Sequence, residues 1–168
     1  MLGFGKPSII RKCSCSVGIS SQNEYFKISI YDPVFTDEDR SLFEQLGIRL
    51  LEGDGLGVVA IEGPTILFMP HCHWDLYEDI LRANWSLNCM ENAVFICNHF
   101  DNYVQNNPIR LFKEKAPHIL KIATIITSVP LPASPDWPFA FNSISTQYIS
   151  EKETLSESWF GKAEGGTS

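Results

Sequence analysis

Basic residues are scarce in this chain of 168 residues. Lysine and arginine number 13 against 20 aspartate and glutamate, which gives a formal net charge of −7. Nucleic-acid backbones and anionic membrane surfaces both attract basic faces, so this charge balance argues against either as the main partner. We therefore expect no direct contact with nucleic acid.

Long apolar runs and paired cysteines are missing as well. No apolar stretch approaches the ~18 residues that a membrane-spanning helix needs, so we expect no membrane span. The five cysteines are odd in number and form no C-x-x-C pair. This usage is typical of reduced thiols and not of a disulfide framework. We expect a cytoplasmic protein, with the nucleus as a second compartment, and the sequence leaves the oligomeric state open.

The stretch 64–85, PTILFMPHCHWDLYEDILRANW, holds the strongest structural pattern in the chain. Residues 65–69 form a short apolar run, which is typical of a strand buried on both faces. Pro70 ends the strand because proline has no N–H to donate. A polar triplet follows directly, made of His71, Cys72 and His73.

Helical periodicity begins after this triplet. Trp74, Tyr77 and Leu81 recur at the spacing of a buried helix face, and Glu78 falls on the polar side. The triplet is therefore predicted to lie in the connection between a buried strand and the following helix. In open α/β sheets, ligands bind at that edge.

Two other apolar runs are predicted to be strands that end in polar residues. Residues 26–31 precede Asp32, and residues 93–97 precede Asn98 and His99. Together with 65–69 they are expected to be neighbouring parallel strands, because each is short, apolar and followed by helix or loop signals. Asp32, the triplet and Asn98-His99 should then share one edge of the sheet.

The remaining elements are read from caps and turn residues. Thr36 is predicted to cap a helix that ends at Gly47, and a short strand follows at 48–51. The buried stripe of that helix is assigned to Leu42, Phe43 and Leu46. Asp101, Asn102 and 106–108 are loop signals, 117–126 is either helix or strand, and a last strand is expected at 139–149.

This alternation predicts an α/β fold, Rossmann-like, with a mainly parallel sheet and crossover helices. Gly3 and Gly5 form a glycine turn with no strand before it, so the first βα unit is expected to be short or incomplete. The expected organisation is a divergent or flexible segment at 1–24, the α/β domain at 25–149 and a polar, flexible tail at 150–168.

Several blocks of this sequence resemble the Sensitivity to Red light Reduced family. The resemblance covers about residues 25–149 and is carried by YDPVFT at 31–36, LGI at 46–48, PT and MPHC at 64–72, LRANW at 81–85, Asn98 with Phe100, Asn102 and Tyr103, and FN at 141–142. Gly3 and Gly5 resemble the glycine loop that opens the family domain. The sequence departs from the family pattern at 13–18 and at 97–99, where CNH stands in place of the usual GNS.

The resemblance implies a regulatory protein and establishes no chemical reaction. It implies red-light signalling and clock function in plants, and regulation of haem biosynthesis and clock-gene expression in animals. Regulatory protein partners are expected on the same ground. We expect no enzyme activity; the alternative is a Rossmann-like enzyme that uses a nucleotide or S-adenosylmethionine type cofactor at the strand-end edge.

The candidate ligand-binding residues are Gly3, Gly5, Asp32, His71, Cys72, Asn98 and His99. Asp32 fits either the ribose-binding acid of a nucleotide fold or a turn opener. His71 and His73 lie on one side of an extended segment, and with His99 they are the candidate metal ligands. Haem is a candidate cofactor because it needs only one axial ligand, with His71 preferred and His99 second.

Two further interpretations of the triplet stay open. Cys72 could act as a nucleophile, but its chain neighbours point away from it, so His99 would have to be the base. Alternatively, His71 and Cys72 satisfy strand-end carbonyl groups and cap the following helix.

Overall fold

A computed structural model describes residues 14–19, 26–32, 34–51, 60–136, 139, 141–150 and 155–161. Gly3, Gly5 and the rest of the predicted glycine turn lie outside the described residues.

The described residues form seven strands and six α-helices. The strands are β1 (Ser14–Ile19), β2 (Phe26–Tyr31), β3 (Arg49–Leu50), β4 (Thr65–Met69), β5 (Ala93–Asn98), β6 (Thr127–Pro130) and β7 (Ile144–Tyr148). The helices are α1 (Asp37–Gln45), α2 (Trp74–Ala83), α3 (Leu87–Glu91), α4 (Phe100–Asn106), α5 (Ile109–Lys115) and α6 (Pro117–Ile122). The longest of them has ten residues, and no described helix is long and apolar enough to cross a membrane.

All seven strands join one sheet in the order β3-β2-β1-β4-β5-β7-β6. The pairs β2–β3 and β4–β5 are parallel, and the other four pairs are antiparallel. The predicted α/β class is confirmed, but the prediction of a mainly parallel sheet is wrong at the level of strand pairs. Five strands run in one direction; β1 and β7 run against them, and each lies between two of the five.

The predicted neighbourhood of the apolar strands is partly confirmed. Strands β4 and β5 are adjacent and parallel, as expected. Strand β2 runs in the same direction but is not their neighbour, because β1 pairs with β2 on one side and with β4 on the other. Strand β1 comes from a stretch in which sequence patterning indicated no element.

The core lies between the sheet and the helices. Along β4 and β5 buried and half-buried residues alternate, so Leu67, Met69 and Phe95 point into the core. Helix α2 contributes Tyr77 and Leu81, both almost completely buried. The predicted buried face of this helix is confirmed, but Glu78 is buried too, so its assignment to a solvent-facing side is wrong.

Helix α1 begins and ends as predicted, yet it is not buried. Thr36 and Asp39 form a capping box, and Gly47 ends the helix in the left-handed region with φ of 68°. Leu42 and Leu46 are 51% and 62% exposed, so the stripe assigned to the core is largely open among the described residues. Local signals placed this helix correctly, because caps depend on neighbours in sequence, whereas burial depends on what packs against the helix.

Expectations for the second half are partly corrected. Asp101 and Asn102 belong to α4 and not to a loop, whereas residues 117–122 are helical, which is one of the two alternatives predicted for 117–126. The last strand starts at Ile144, after a turn at 141–143. Part of the predicted flexible tail, residues 155–161, packs on the domain, where Phe160 is buried.

Candidate functional site

Strand register places Asp32, Pro70 and Asn98 in one line at the carboxyl edge of β2, β4 and β5. One paired row crosses these strands through Ile30, Cys15, Phe68 and Ile96. Asp32, Pro70 and Asn98 each come two residues after that row. With strands about 4.8 Å apart, Asp32 lies about 10 Å from Pro70 and about 15 Å from Asn98. The expectation that these residues share one edge is confirmed.

His71 makes the corner between β4 and α2. Its backbone φ is +57°, in the left-handed region, and its side chain is exposed. This region is uncommon for residues other than glycine, although histidine is among the types that visit it more often. Such residues cluster at ligand-binding corners, where the surrounding structure holds the strained conformation.

Two tyrosines hold the backbone of Cys72. Its N–H donates to the Tyr77 hydroxyl at 3.2 Å, and its carbonyl accepts from the Tyr103 hydroxyl at 2.7 Å. The Tyr77 hydroxyl donates in turn to the Met69 carbonyl at 2.6 Å. The corner between strand and helix is therefore tied to both α2 and α4.

These hydroxyl groups remain protonated at neutral pH. Removal from solvent raises the pKa of the Tyr77 hydroxyl well above its usual range, and burial raises the pKa of Tyr103 in the same direction. The Tyr77 hydroxyl also lies 3.2 Å from Asn98 Oδ1. Asn98 thus joins the network that supports the corner.

Gln147, on β7, is buried and forms a second group of polar contacts next to the end of β5. Its Nε2 donates to Cys97 Sγ at 3.0 Å and to the Asn98 carbonyl at 3.1 Å. Its Oε1 accepts from the Phe100 N–H and the Ser128 hydroxyl, both at 3.1 Å. Burial raises the pKa of the Cys97 thiol, so this cysteine stays protonated and serves as a packing and hydrogen-bonding group.

Asp32 closes a turn at the end of β2. Its Oδ1 accepts from the Val34 N–H at 3.0 Å, and its carbonyl accepts from the Phe35 N–H at 3.3 Å. This is the side-chain turn that aspartate commonly forms. Of the two roles predicted for Asp32, the role of turn opener is supported by these two hydrogen bonds.

The remaining histidines of the edge lie near carboxylates. His73 is exposed and its Nδ1 lies 3.0 Å from Asp75 Oδ1. His99 Nδ1 lies 4.0 Å from Asp101 Oδ2 and has no hydrogen-bond partner among the described residues, although it is buried. Within the described ranges, no group of three His, Cys, Asp or Glu side chains is arranged to hold a metal ion.

Exposed aromatic side chains extend the edge beyond His99. The His99 N–H donates to the Ser143 carbonyl at 3.2 Å, which ties the start of β7 to the end of β5. Just before Ser143 in the chain, Phe139 is 82% exposed and Phe141 is also open to solvent. Large exposed aromatic rings beside a polar edge are a common feature of binding surfaces.

Sequence reasoning missed the supporting residues Tyr77, Tyr103 and Gln147. The two tyrosines were assigned to apolar packing or to a family motif, and Gln147 was not singled out. A buried tyrosine normally finds a partner for its hydroxyl, so a tyrosine on the core face directly after a chain corner was a usable signal. Gln147 carries no comparable signal, because its burial depends on the reversed strand β7.

Comparison with known proteins supports a single family. The sequence profile of the SRR1 domain matches residues 8–148. The SRR1-like protein of Mus musculus is 32% identical over 95 residues, which cover 56% of this chain and 38% of the mouse protein. The SRR1-like protein of Drosophila melanogaster is 25% identical over 129 residues, 77% of this chain and 45% of the fly protein.

A plant relative extends the comparison. The protein SENSITIVITY TO RED LIGHT REDUCED 1 of Arabidopsis thaliana is 33% identical over 76 residues, 45% of this chain and 28% of the plant protein. The chain thus spans less than half the length of each of these relatives. No solved structure matches it. Because the family profile covers most of its residues, the chain belongs to the SRR1 domain family.

Proposed function

We propose that this protein is a regulator that acts through binding at the strand-end edge, and that it does not catalyse a reaction. The name of its plant relative refers to sensitivity to red light, which supports a regulatory role. Within that role, we propose regulation of haem biosynthesis and of clock-gene expression, in the cytoplasm or nucleus, through protein partners.

The observation that carries this proposal is the environment of Cys72. Its residue surface is 5% exposed, its thiol lies 3.8 Å from the Pro70 carbonyl, and its backbone is held by Tyr77 and Tyr103. Catalytic cysteines instead lie in partly exposed, electropositive surroundings. The exposed side chains of this edge include imidazole and aromatic rings together with the carboxylates of Asp75 and Asp101, and these groups suit recognition.

We propose haem as the ligand of this edge. One axial histidine is enough to hold haem iron, and His71 presents its imidazole at an exposed corner. Phe139 and Phe141 provide exposed aromatic rings at the same edge. His99 is the second candidate because it follows β5 at the same edge; its Nδ1 lies 4.0 Å from Asp101 Oδ2, beyond hydrogen-bond distance.

Titration of the purified protein with ferric haem tests this proposal. We expect a Soret shift that saturates at one equivalent, and His71→Ala should alter the spectrum and weaken binding. His73→Ala is the matched control, since His73 is also exposed and lies two residues further along the chain. Identical titrations for all three proteins would mean nonspecific adsorption and would remove haem from the proposal.

The second candidate is a Rossmann-like enzyme with a nucleotide or S-adenosylmethionine type cofactor. The order β3-β2-β1-β4-β5 is that of a doubly wound sheet, in which ligands bind between β1 and β4. Asp32 ends β2, where such folds place the acid that binds a ribose. The reversed direction of β1 counts against this candidate, because a cofactor loop must follow the carboxyl end of that strand.

Calorimetric titration with S-adenosylmethionine and with ATP separates the two candidates. Asp32→Asn retains an oxygen for the turn to Val34 and removes the charge, so it should abolish cofactor binding if the enzyme hypothesis is correct. Glu44→Gln, an exposed change on α1, should leave binding intact. Absence of binding to the unmodified protein at millimolar cofactor would eliminate the enzyme hypothesis.

A further inference from the structure

The segment 155–161 packs on the helical layer although it lies beyond the residues that match the family profile. That match ends at residue 148. The segment contains a 3₁₀ turn, Glu157–Phe160, whose last residue is buried. The surface that it covers, in contrast, belongs to the family domain. We call this surface the Trp85 groove; it is formed by Trp85, His118, Lys121 and the first turn of α3.

Aromatic contacts make the centre of this packing. The Trp85 ring lies 5.3 Å from the Phe160 ring and 5.7 Å from the Trp159 ring, measured between centroids. His118 meets the Trp85 ring edge-on, at 4.7 Å. Aromatic pairs at these separations add to the gain from apolar burial. Trp159 and Phe160 therefore act as the paired anchors of the segment.

Lys121 holds the backbone of the segment from the groove side. Its ammonium donates to the Trp159 carbonyl and, at 3.4 Å, to the Gly161 carbonyl. The same ammonium lies 4.7 Å from the centroid of the Trp159 ring, within the range of a cation–π contact. Capture of backbone carbonyls depends little on the side chains of the segment, so it would serve any peptide with the same turn.

A third contact specifies an acidic residue. Glu157 Oε2 accepts from the Leu87 N–H at 3.0 Å, at the start of α3. Trp85 Nε1 is buried and has no hydrogen-bond partner among the described residues. None of the acceptors of the segment therefore bonds this donor.

We propose that the Trp85 groove is a peptide-binding site, and that residues 155–161 are its resident occupant. The site takes a short turn with an acidic residue followed, one residue later, by two adjacent aromatic residues. A protein partner carrying such a turn gains access to the groove by displacing the segment.

Membership of the same chain sets how strongly the segment competes. Binding of the segment to the groove is intramolecular, with an effective concentration on the order of millimolar. A free peptide can bind only the fraction of molecules whose groove is open, so its apparent affinity falls by that fraction. We therefore expect the unmodified chain to bind a free peptide at least about tenfold more weakly than a chain with the segment released.

Fluorescence anisotropy with a labelled peptide of sequence LSESWFG tests the proposal on the full chain. The double variant Trp159→Ala, Phe160→Ala releases the segment and should bind the peptide saturably, at least about tenfold more tightly than the unmodified chain. Adding Lys121→Ala to the double variant should remove most of this binding. Lys115→Ala, added to the double variant instead, is the matched control. Lys115 is an exposed lysine beside Glu114, and its replacement should leave peptide binding unchanged.

Glu157→Ala is a second way to release the segment, and it alters only an exposed contact. This variant should bind the peptide with an affinity between those of the unmodified chain and the double variant. Circular dichroism checks that each variant is folded. The proposal is overturned if Glu157→Ala binds no better than the unmodified chain, or if Lys121→Ala and Lys115→Ala have equal effects. A concentration-dependent dimer that disappears in the double variant would overturn occupancy by the same chain.

Discussion

The carboxylate of Glu78 is hydrogen-bonded to both the backbone N–H and the imidazole Nδ1 of His118, forty residues later in the chain. It also accepts from the Ile119 N–H at 3.0 Å. Its side chain is 3% exposed. One buried acid therefore joins α2 to the first turn of α6, where it satisfies N–H groups that have no partner within the helix.

Glu78→Ala should lower the free energy of unfolding by about 3–5 kcal/mol, because it leaves His118 and two N–H groups buried without their partner. Asp79→Ala is the matched control. Asp79 pairs with Arg82 on the surface, and its loss should cost under about 1 kcal/mol. Urea unfolding curves measure both changes, and equal midpoints would contradict a structural role for the Glu78–His118 pair.

The misplacement of Glu78 shows what helical periodicity can and cannot predict. The spacing of Tyr77 and Leu81 correctly identified the face of α2 that packs on the sheet. It could not show that α6 would cover the flank of this face, where Glu78 lies, since no local signal decided whether 117–126 was a helix. A charged residue on a polar stripe was therefore read as solvent-facing, although a later element buried it.

The difference between local signals and contacts with distant elements also explains which parts of the sheet and the site were predicted. Caps and apolar runs placed α1, β4 and β5, because those signals act over a few residues. Strand direction depends on long connections, and the reversed strands β1 and β7 could not be read from composition. The edge with His71 and Asn98 followed from strand ends alone, whereas its support by Gln147 depended on β7.

The burial of Leu81 and the exposure of Leu42 should give a large and a small loss of stability, respectively, when each leucine is replaced by alanine. Leu81 has no exposed surface, and Leu81→Ala should cost about 2–5 kcal/mol through lost apolar contacts and the cavity left behind. Leu42 is exposed on α1, and Leu42→Ala should change stability by less than about 0.5 kcal/mol. Thermal and urea unfolding test the pair. A large loss in Leu42→Ala would mean that α1 is covered in solution.

The raised pKa of Tyr77 predicts a loss of stability in alkaline solution. Unfolding returns its hydroxyl to an ordinary pKa near 10, so between that pH and the folded value only the unfolded chain loses this proton. The contribution is fully present below pH 10 and declines above it, by about 1.4 kcal/mol per pH unit. Urea unfolding from pH 8 to pH 11 should show a decline that is shallower in Tyr77→Phe. Parallel curves for the two proteins would show that this hydroxyl ionises normally in the fold.

The positive φ of His71 leads to a prediction that links strain to function. Valine is strongly disfavoured in the left-handed region and glycine is not, so His71→Gly should be more stable than His71→Val by about 1–2 kcal/mol. His73, with φ of −75° and ψ of 151°, is the matched position, and there the difference between the two variants should shrink because valine adopts extended backbone without strain. Urea unfolding of the four variants gives both differences, and valine equal to glycine at position 71 would remove the strain argument. If His71→Gly retains the stability of the unmodified protein but loses haem binding, the imidazole at this corner is maintained for binding and not for the fold.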